Sequence, residues 1–170
     1  GDDANPGTLA APFRSIQHAA NLAQPGDVIT VHEGIYRERI DPPRGGTSDE
    51  ARIVFQAAPD AEVVIKGSEV IEGWYHVTND TWKTVIPNEF FGDFNPYNTR
   101  VRGDWFRALP YDSGRTYHVG TVYLNGHWLK EGASLENVLA PATDDPLWFG
   151  EVDEKHTTIH AQFKSIDPNE

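Results

Sequence analysis

The sequence contains no cysteine and no methionine among its 170 residues. The first absence excludes disulfides, thiolate metal sites and a cysteine nucleophile, and leaves the redox compartment open. From the second, with Gly1 in first position, a processed or excised piece is expected, one that a signal peptide could once have preceded. Cations are scarce: 14 Lys and Arg stand against 26 Asp and Glu, for a formal charge of −12. Such a surface repels phosphates and anionic headgroups, so neither nucleic acid nor membrane is expected as a partner. A neutral ligand such as an uncharged sugar suits it better than an acidic polymer. No apolar run approaches the ~18 residues of a membrane span, and no signal-peptide pattern is present. The expectation is a soluble protein, cytoplasmic or secreted.

What is present is material for a core, including eight Phe, six Tyr and five Trp. Short β-branched runs recur between Asp27 and Gly67: Val28-Ile29-Thr30-Val31, Ile53-Val54-Phe55-Gln56 and Val63-Val64-Ile65-Lys66. Each is closed by Gly or Pro, and reads as a short buried strand. A spacing of about 25 residues fits one coil of a parallel solenoid. Residues 1–70 are therefore expected to form an N-terminal cap and the first coils of a parallel β-helix. Pro12 is expected to open a capping helix with Phe13, Ile16 and Ala20 on one apolar stripe, and His18 on its polar side. Tyr36, Glu38 and Ile40 alternate with Arg37 and Arg39 as in a strand. Asp2, Asp3 and Asn5 read as a solvated turn rather than a calcium loop. Glu33 and Glu38 could be taken for an acid–base pair, but nothing makes them converge, and plain exposed charges are favoured.

Beyond Gly73 the pattern changes to antiparallel pairs. Trp74–Val77 and Trp82–Ile86 flank a polar turn, and Val122-Tyr123-Leu124 meets His127-Trp128-Leu129 through Asn125-Gly126, a preferred type I′ pair. Trp148–Val152 and Thr157–Phe163 make a third pair. Residues 71–165 are expected to form a small antiparallel β-sandwich, and 166–170 to return toward the coils. Asn88 to His118 reads as one long loop rich in aromatics, Asn, Asp and Gly, of a length that is often functional. Rings beside carboxylates and amides suit a sugar, whose C–H face stacks while its hydroxyls hydrogen-bond. The candidate sugar contacts are Trp105, Asp104, Tyr97 and Asn95, with plain packing as the alternative reading. The seven His show no HExxH and no compact ligand cluster, and the serines no GxSxG. No metal site and no cofactor is expected.

Asn5-Pro6-Gly7-Thr8, Ala11-Pro12-Phe13, Pro25-Gly26-Asp27 and Gly34-Ile35-Tyr36 resemble the opening of right-handed parallel β-helix proteins of the pectate-lyase-like superfamily. The motifs FFGDFNPY (90–97), GDWF (103–106), HVGTVYLNG (118–126) and DPNE (167–170) sharpen this. They resemble the N-terminal part of β-xylosidases of glycoside hydrolase family 120, in which a β-sandwich is inserted after the first coils. The resemblance implies retaining hydrolysis of xylo-oligosaccharides, with both carboxylates on later coils, so no catalytic residue is assigned to this chain. By itself the chain is expected to be inactive. Its expected partners are the remaining coils, in the same polypeptide or a second chain, and a neutral oligosaccharide; a homo-oligomer is a further option. The alternative is a non-catalytic carbohydrate-binding or interaction module.

Overall fold

The computed structural model describes residues 1–103, 115–140 and 144–170. Its strands follow the apolar runs, and the chain divides into two compact units, Gly1–Val70 and Ile71–Glu170. The architecture is mostly β, with two short α-helices.

In the first unit β1 (Val28–Val31) pairs in parallel with β3 (Val54–Ala57), and β2 (Gly34–Arg37) with β4 (Val63–Lys66). Val28 lies opposite Val54 and Gly34 opposite Val63, so each strand meets its counterpart in the next repeat. Val31 is buried, but Val54 and Phe55 are exposed where buried strands are expected. A two-stranded sheet leaves edges and faces bare, and no third strand pairs with β1 or β3 in the unit. The strand expected over Tyr36–Ile40 ends at Arg37.

Helix α1 (Ile16–Leu22) starts later than Pro12, the expected first residue. Ser15 is its N-cap, its hydroxyl accepting from the His18 amide at 3.3 Å. Ile16 and Ala20 are buried, as the stripe requires, while Phe13 lies ahead of the helix with its ring edge-on to His18. The amides at the helix start and just ahead of it go to two carboxylates. Glu38 accepts from Ile16 N at 2.9 Å and Gln17 N at 2.7 Å. Asp3 accepts from the Arg14 and Ser15 amides at 2.8 and 2.9 Å. These bonds, the one from the Ser15 amide foremost, hold the Asp3 carboxyl below the usual carboxylate range. Glu38 is thus not a plain exposed charge. It satisfies amides that a helix start leaves without partners, at the positive end of the helix dipole.

The second unit is built on β5 (Tyr75–Thr78), β6 (Thr81–Pro87), β9 (Lys130–Glu131), β10 (Leu147–Val152) and β11 (His156–Gln162), in the order β5-β6-β11-β10-β9. All neighbours are antiparallel except β9 and β10, which run parallel. Where antiparallel pairs alone were expected, the described residues form one mixed sheet and a separate hairpin, β7 (Tyr123–Leu124) with β8 (His127–Trp128). Its turn residues Asn125 and Gly126 have φ of 50° and 82°, the left-handed pair that type I′ demands. Against one face of the sheet Trp148, Ile159, Ala161 and Ile86 pack with Val122, Leu129, Trp74 and Phe163. Trp74 and Phe163 meet edge to face at 4.7 Å.

On the opposite face, α2 (Leu135–Leu139) covers one end of the strands. The Val138 carbonyl accepts from Thr81 Oγ1 at 3.0 Å and Gln162 Nε2 at 2.6 Å. Gln162 Oε1 in turn accepts from Leu147 N at 2.9 Å, so one buried amide joins helix and two strands. The unit closes where it opened: Asn169 Oδ1 accepts from Trp74 N at 2.9 Å and its Nδ2 donates to Trp74 O at 3.0 Å.

Trp148 is 2% exposed at the centre of this core. Trp148→Ala should lower unfolding free energy by about 3–5 kcal/mol, read from a denaturant midpoint. Glu38→Ala should cost about 0.5–2 kcal/mol and speed hydrogen exchange at the Ile16 and Gln17 amides. Unchanged exchange there would show that the cap contributes nothing.

Candidate functional site

Strand β6 runs into a single 3₁₀ turn, Asn88–Phe91, and then the segment Gly92–Thr99. Pro87 lies opposite His156, which brings this segment to the same end of the sheet as the turn between β10 and β11. The two form a recess of about 410 Å³ whose lining includes Asn88, Asp93, Phe94, Asn98, Asp153 and Glu154. Phe94 is 57% exposed, which leaves its ring available for stacking. Phe90 is also exposed, its ring edge-on to Phe91. Asp153 caps its own turn, accepting from the Lys155 and His156 amides at 2.7 Å each, and these bonds, Lys155 first, lower its pKa. The recess offers one exposed ring bordered by carboxylates and amides, a set that can stack on a neutral ligand and hydrogen-bond its hydroxyls.

Of the four sequence candidates, Asn95 and Tyr97 are brought together, and Asp104 and Trp105 lie outside the described residues. Asn95 lines the recess, yet its amide is spent inside the fold. It donates to Thr157 Oγ1 at 2.7 Å and to Asn88 Oδ1 at 3.3 Å, and accepts from Tyr97 N at 3.0 Å. Tyr97 points away from any stacking role. Its ring sits edge-on to Trp148 at 5.5 Å and Phe91 at 5.7 Å, and its hydroxyl donates to Thr121 O at 2.9 Å. A side chain at Gly120 would come within 2.6 Å of that ring, which is why the position accepts no Cβ. Burial pushes the Tyr97 phenol up to about 12.

The His118–Glu131 pair escapes the sequence reading. Glu131 Oε1 lies 2.6 Å from His118 Nδ1, and Oε2 accepts from His118 N at 3.0 Å. The two residues flank the Asn125-Gly126 turn, and that hairpin was the one sequence signal that could have paired them. They stand at the neck of the long loop, where Arg100 and His118 form a bridge. Val101 N donates to Tyr117 O at 2.8 Å, and Val119 N to Thr99 O at 2.9 Å. Arg115 lays its guanidinium over the Tyr117 ring and donates to the Glu131 carbonyl oxygen. Among the described residues no group of three or more His, Asp or Glu is placed to hold a metal ion. None of their helices is long and apolar enough to cross a membrane.

Because the Tyr97 phenol is held neutral by the fold, its contribution to stability is complete below the unfolded phenol's pKa of about 10. It is lost as pH rises from there through about 12. Ultraviolet titration should show one phenol ionising near that upper value, absent in Tyr97→Phe. If the variant keeps the late phenol, Tyr97 is not the buried one.

Residues 71–147 match the family described as glycoside hydrolase 120, insertion domain. Residues 1–42 match a protein family of unknown function, DUF1565. An uncharacterized protein of Bacillus subtilis (strain 168), YwoF, is 37% identical over 75 residues, 44% of this chain and 16% of YwoF. A solved complex of XylC with xylose superposes on 100% of this chain with a TM-score of 0.91 at 39% identity. The chain spans 29% of that structure's length. By sequence residues 71–147 are similar to the glycoside hydrolase 120 insertion domain, and over its whole length the chain has the fold of the corresponding part of XylC.

Proposed function

We infer that this chain is part of a retaining β-xylosidase acting on xylo-oligosaccharides, with its catalytic carboxylates on residues outside these 170. The observation that carries the reading is the likeness to XylC, a protein solved with xylose, at 39% identity across the whole chain. In this reading the parallel pairs β1–β3 and β2–β4 are coils of a right-handed parallel β-helix, and the second unit is inserted between coils. The side-by-side ends of that unit, tied through Asn169 and Trp74, support an insertion. The carboxylates that the sequence singles out are occupied or apart: Glu38 caps α1 and Glu33 is exposed. Double displacement then draws its nucleophile and acid–base pair from further coils, while this segment lines the approach of a neutral sugar.

The second reading, a non-catalytic carbohydrate-binding module, is favoured by the recess around Phe94, which offers stacking and hydrogen bonds. Hydrolysis of an aryl β-xyloside, together with intact-mass analysis of every polypeptide present, separates the two. Turnover that depends on a longer polypeptide is the expected result. Turnover by a pure 170-residue species would overturn the placing of the carboxylates elsewhere.

A further inference from the structure

The middle of the mixed sheet holds an ionisable side chain that takes no part in the recess or in the loop neck. Ile159 and Ala161 point into the core, so His160 between them lies on the opposite face of β11. It is only 8% exposed, and its Nδ1 is buried with no hydrogen-bond partner among the described residues. A neutral imidazole tolerates this, because its hydrogen can sit on Nε2 and leave Nδ1 a lone pair. A protonated imidazole carries a hydrogen on both nitrogens, and here one of them would be buried without an acceptor. The charges nearby do not remove that cost. Lys83 lies directly opposite His160 on β6, and Phe149 directly opposite on β10. Glu151, on the same face of β10 and next to Thr158 in register, is exposed. Burial, the largest influence, holds the imidazole below the usual histidine range, while Glu151 draws it up and Lys83 presses it down. The other titratable groups on this face and on the helix over it are Tyr75 of β5, His156 further along β11, Lys130 of β9, ion-paired with Asp145, and Glu136 of α2.

We propose that His160 is an acid-sensitive latch: when its imidazole takes up a proton, β11 loosens from β6 and β10 and the second unit loses stability. Its position makes the latch effective. β11 is the middle strand of the sheet, paired with β6 from His156 to Gln162 and with β10 from Thr157 to Ala161. Gln162, on the same face as His160, ties the strand to α2 through the Val138 carbonyl. A charge that His160 cannot accommodate therefore acts on the strand that joins both halves of the sheet and the helix. The direction of the effect follows from linkage. The unfolded chain protonates its histidines near a pKa of about 6.5, and the folded unit protonates His160 only below that. Stability is then complete above about pH 6.5 and is lost as pH falls through the lower, folded value. Across that window the unfolding equilibrium constant should rise by up to about tenfold per pH unit, the limit for a single proton.

The test uses the tryptophans. All five, Trp74, Trp82, Trp105, Trp128 and Trp148, fall between Ile71 and Glu170, so their fluorescence follows unfolding of the second unit apart from the first. Denaturant titrations are run at about pH 7.5 and about pH 5.5, both above the range in which ordinary carboxylates take up protons. The midpoint should be lower at the acid value. His160→Gln, which cannot ionise, should lose most of that difference, although six other histidines remain. No difference in the wild type, or the full difference kept in His160→Gln, refutes the latch. If the variant does not fold, the wild type decides by imidazole NMR, with the His160 signals assigned through bonds. They should titrate below about pH 6.5, and amide exchange along β11, corrected for its intrinsic pH dependence, should quicken as they do. Titration at or above that value, or exchange that ignores it, overturns the proposal. Neither result bears on the carbohydrate reading, which the hydrolysis assay decides separately.

Discussion

Backbone amides taken from water must find partners, and in this chain the irregular segments find them in side chains. Glu38 and Asp3 take the amides at and ahead of α1. Asn95 holds the loop after β6, Gln162 ties α2 to the sheet, Glu131 holds the neck of the long loop, and Asn169 joins the two ends of the second unit. With no disulfide available, turns that pack few apolar residues would otherwise be held only by short strands.

The same constraint separates what could be read in the sequence from what could not. Regular elements were legible because their signals are local. The Asn125-Gly126 turn and the β-branched runs that became β1, β3 and β4 are decided within a few residues. Capping by Glu38 was not legible, because its bonds reach back to Ile16 and Gln17 across a helix and two strands. Pro12 looked like a helix start by residue type, and lost to Ser15, whose hydroxyl reaches the His18 amide. The sheet departs from the expected all-antiparallel pairing because β9 runs parallel to β10, a pairing between separate segments that no hairpin signal announces.

The candidate site was legible only as a region. Aromatics, amides and carboxylates do gather between Asn88 and Thr99, and they do border a recess. Which of them face it is set by packing. Tyr97 turns inward because the Trp148 edge and the Thr121 carbonyl together satisfy both its ring and its hydroxyl, while Phe94, with no polar group to satisfy, stays outside. Asn95 was chosen for its hydrogen-bonding capacity, and that capacity is consumed by Thr157, Asn88 and Tyr97. His118 opened a family motif and Glu131 lay in none, and nothing in the sequence marked them as a pair. Their pairing exists because a hairpin folds their flanks together.

The two-way bond between Asn169 and Trp74 bears on how such a unit comes to sit within a larger chain. A module whose first and last residues touch demands only two adjacent backbone points from its host, so it can be received where a short turn once stood. The host meets little extra loop-closure entropy, since the span it must bridge does not grow with the hundred or so residues carried inside. Gain, loss or exchange of a unit whose ends meet is then a single genetic event that leaves the register of a host's own strands undisturbed.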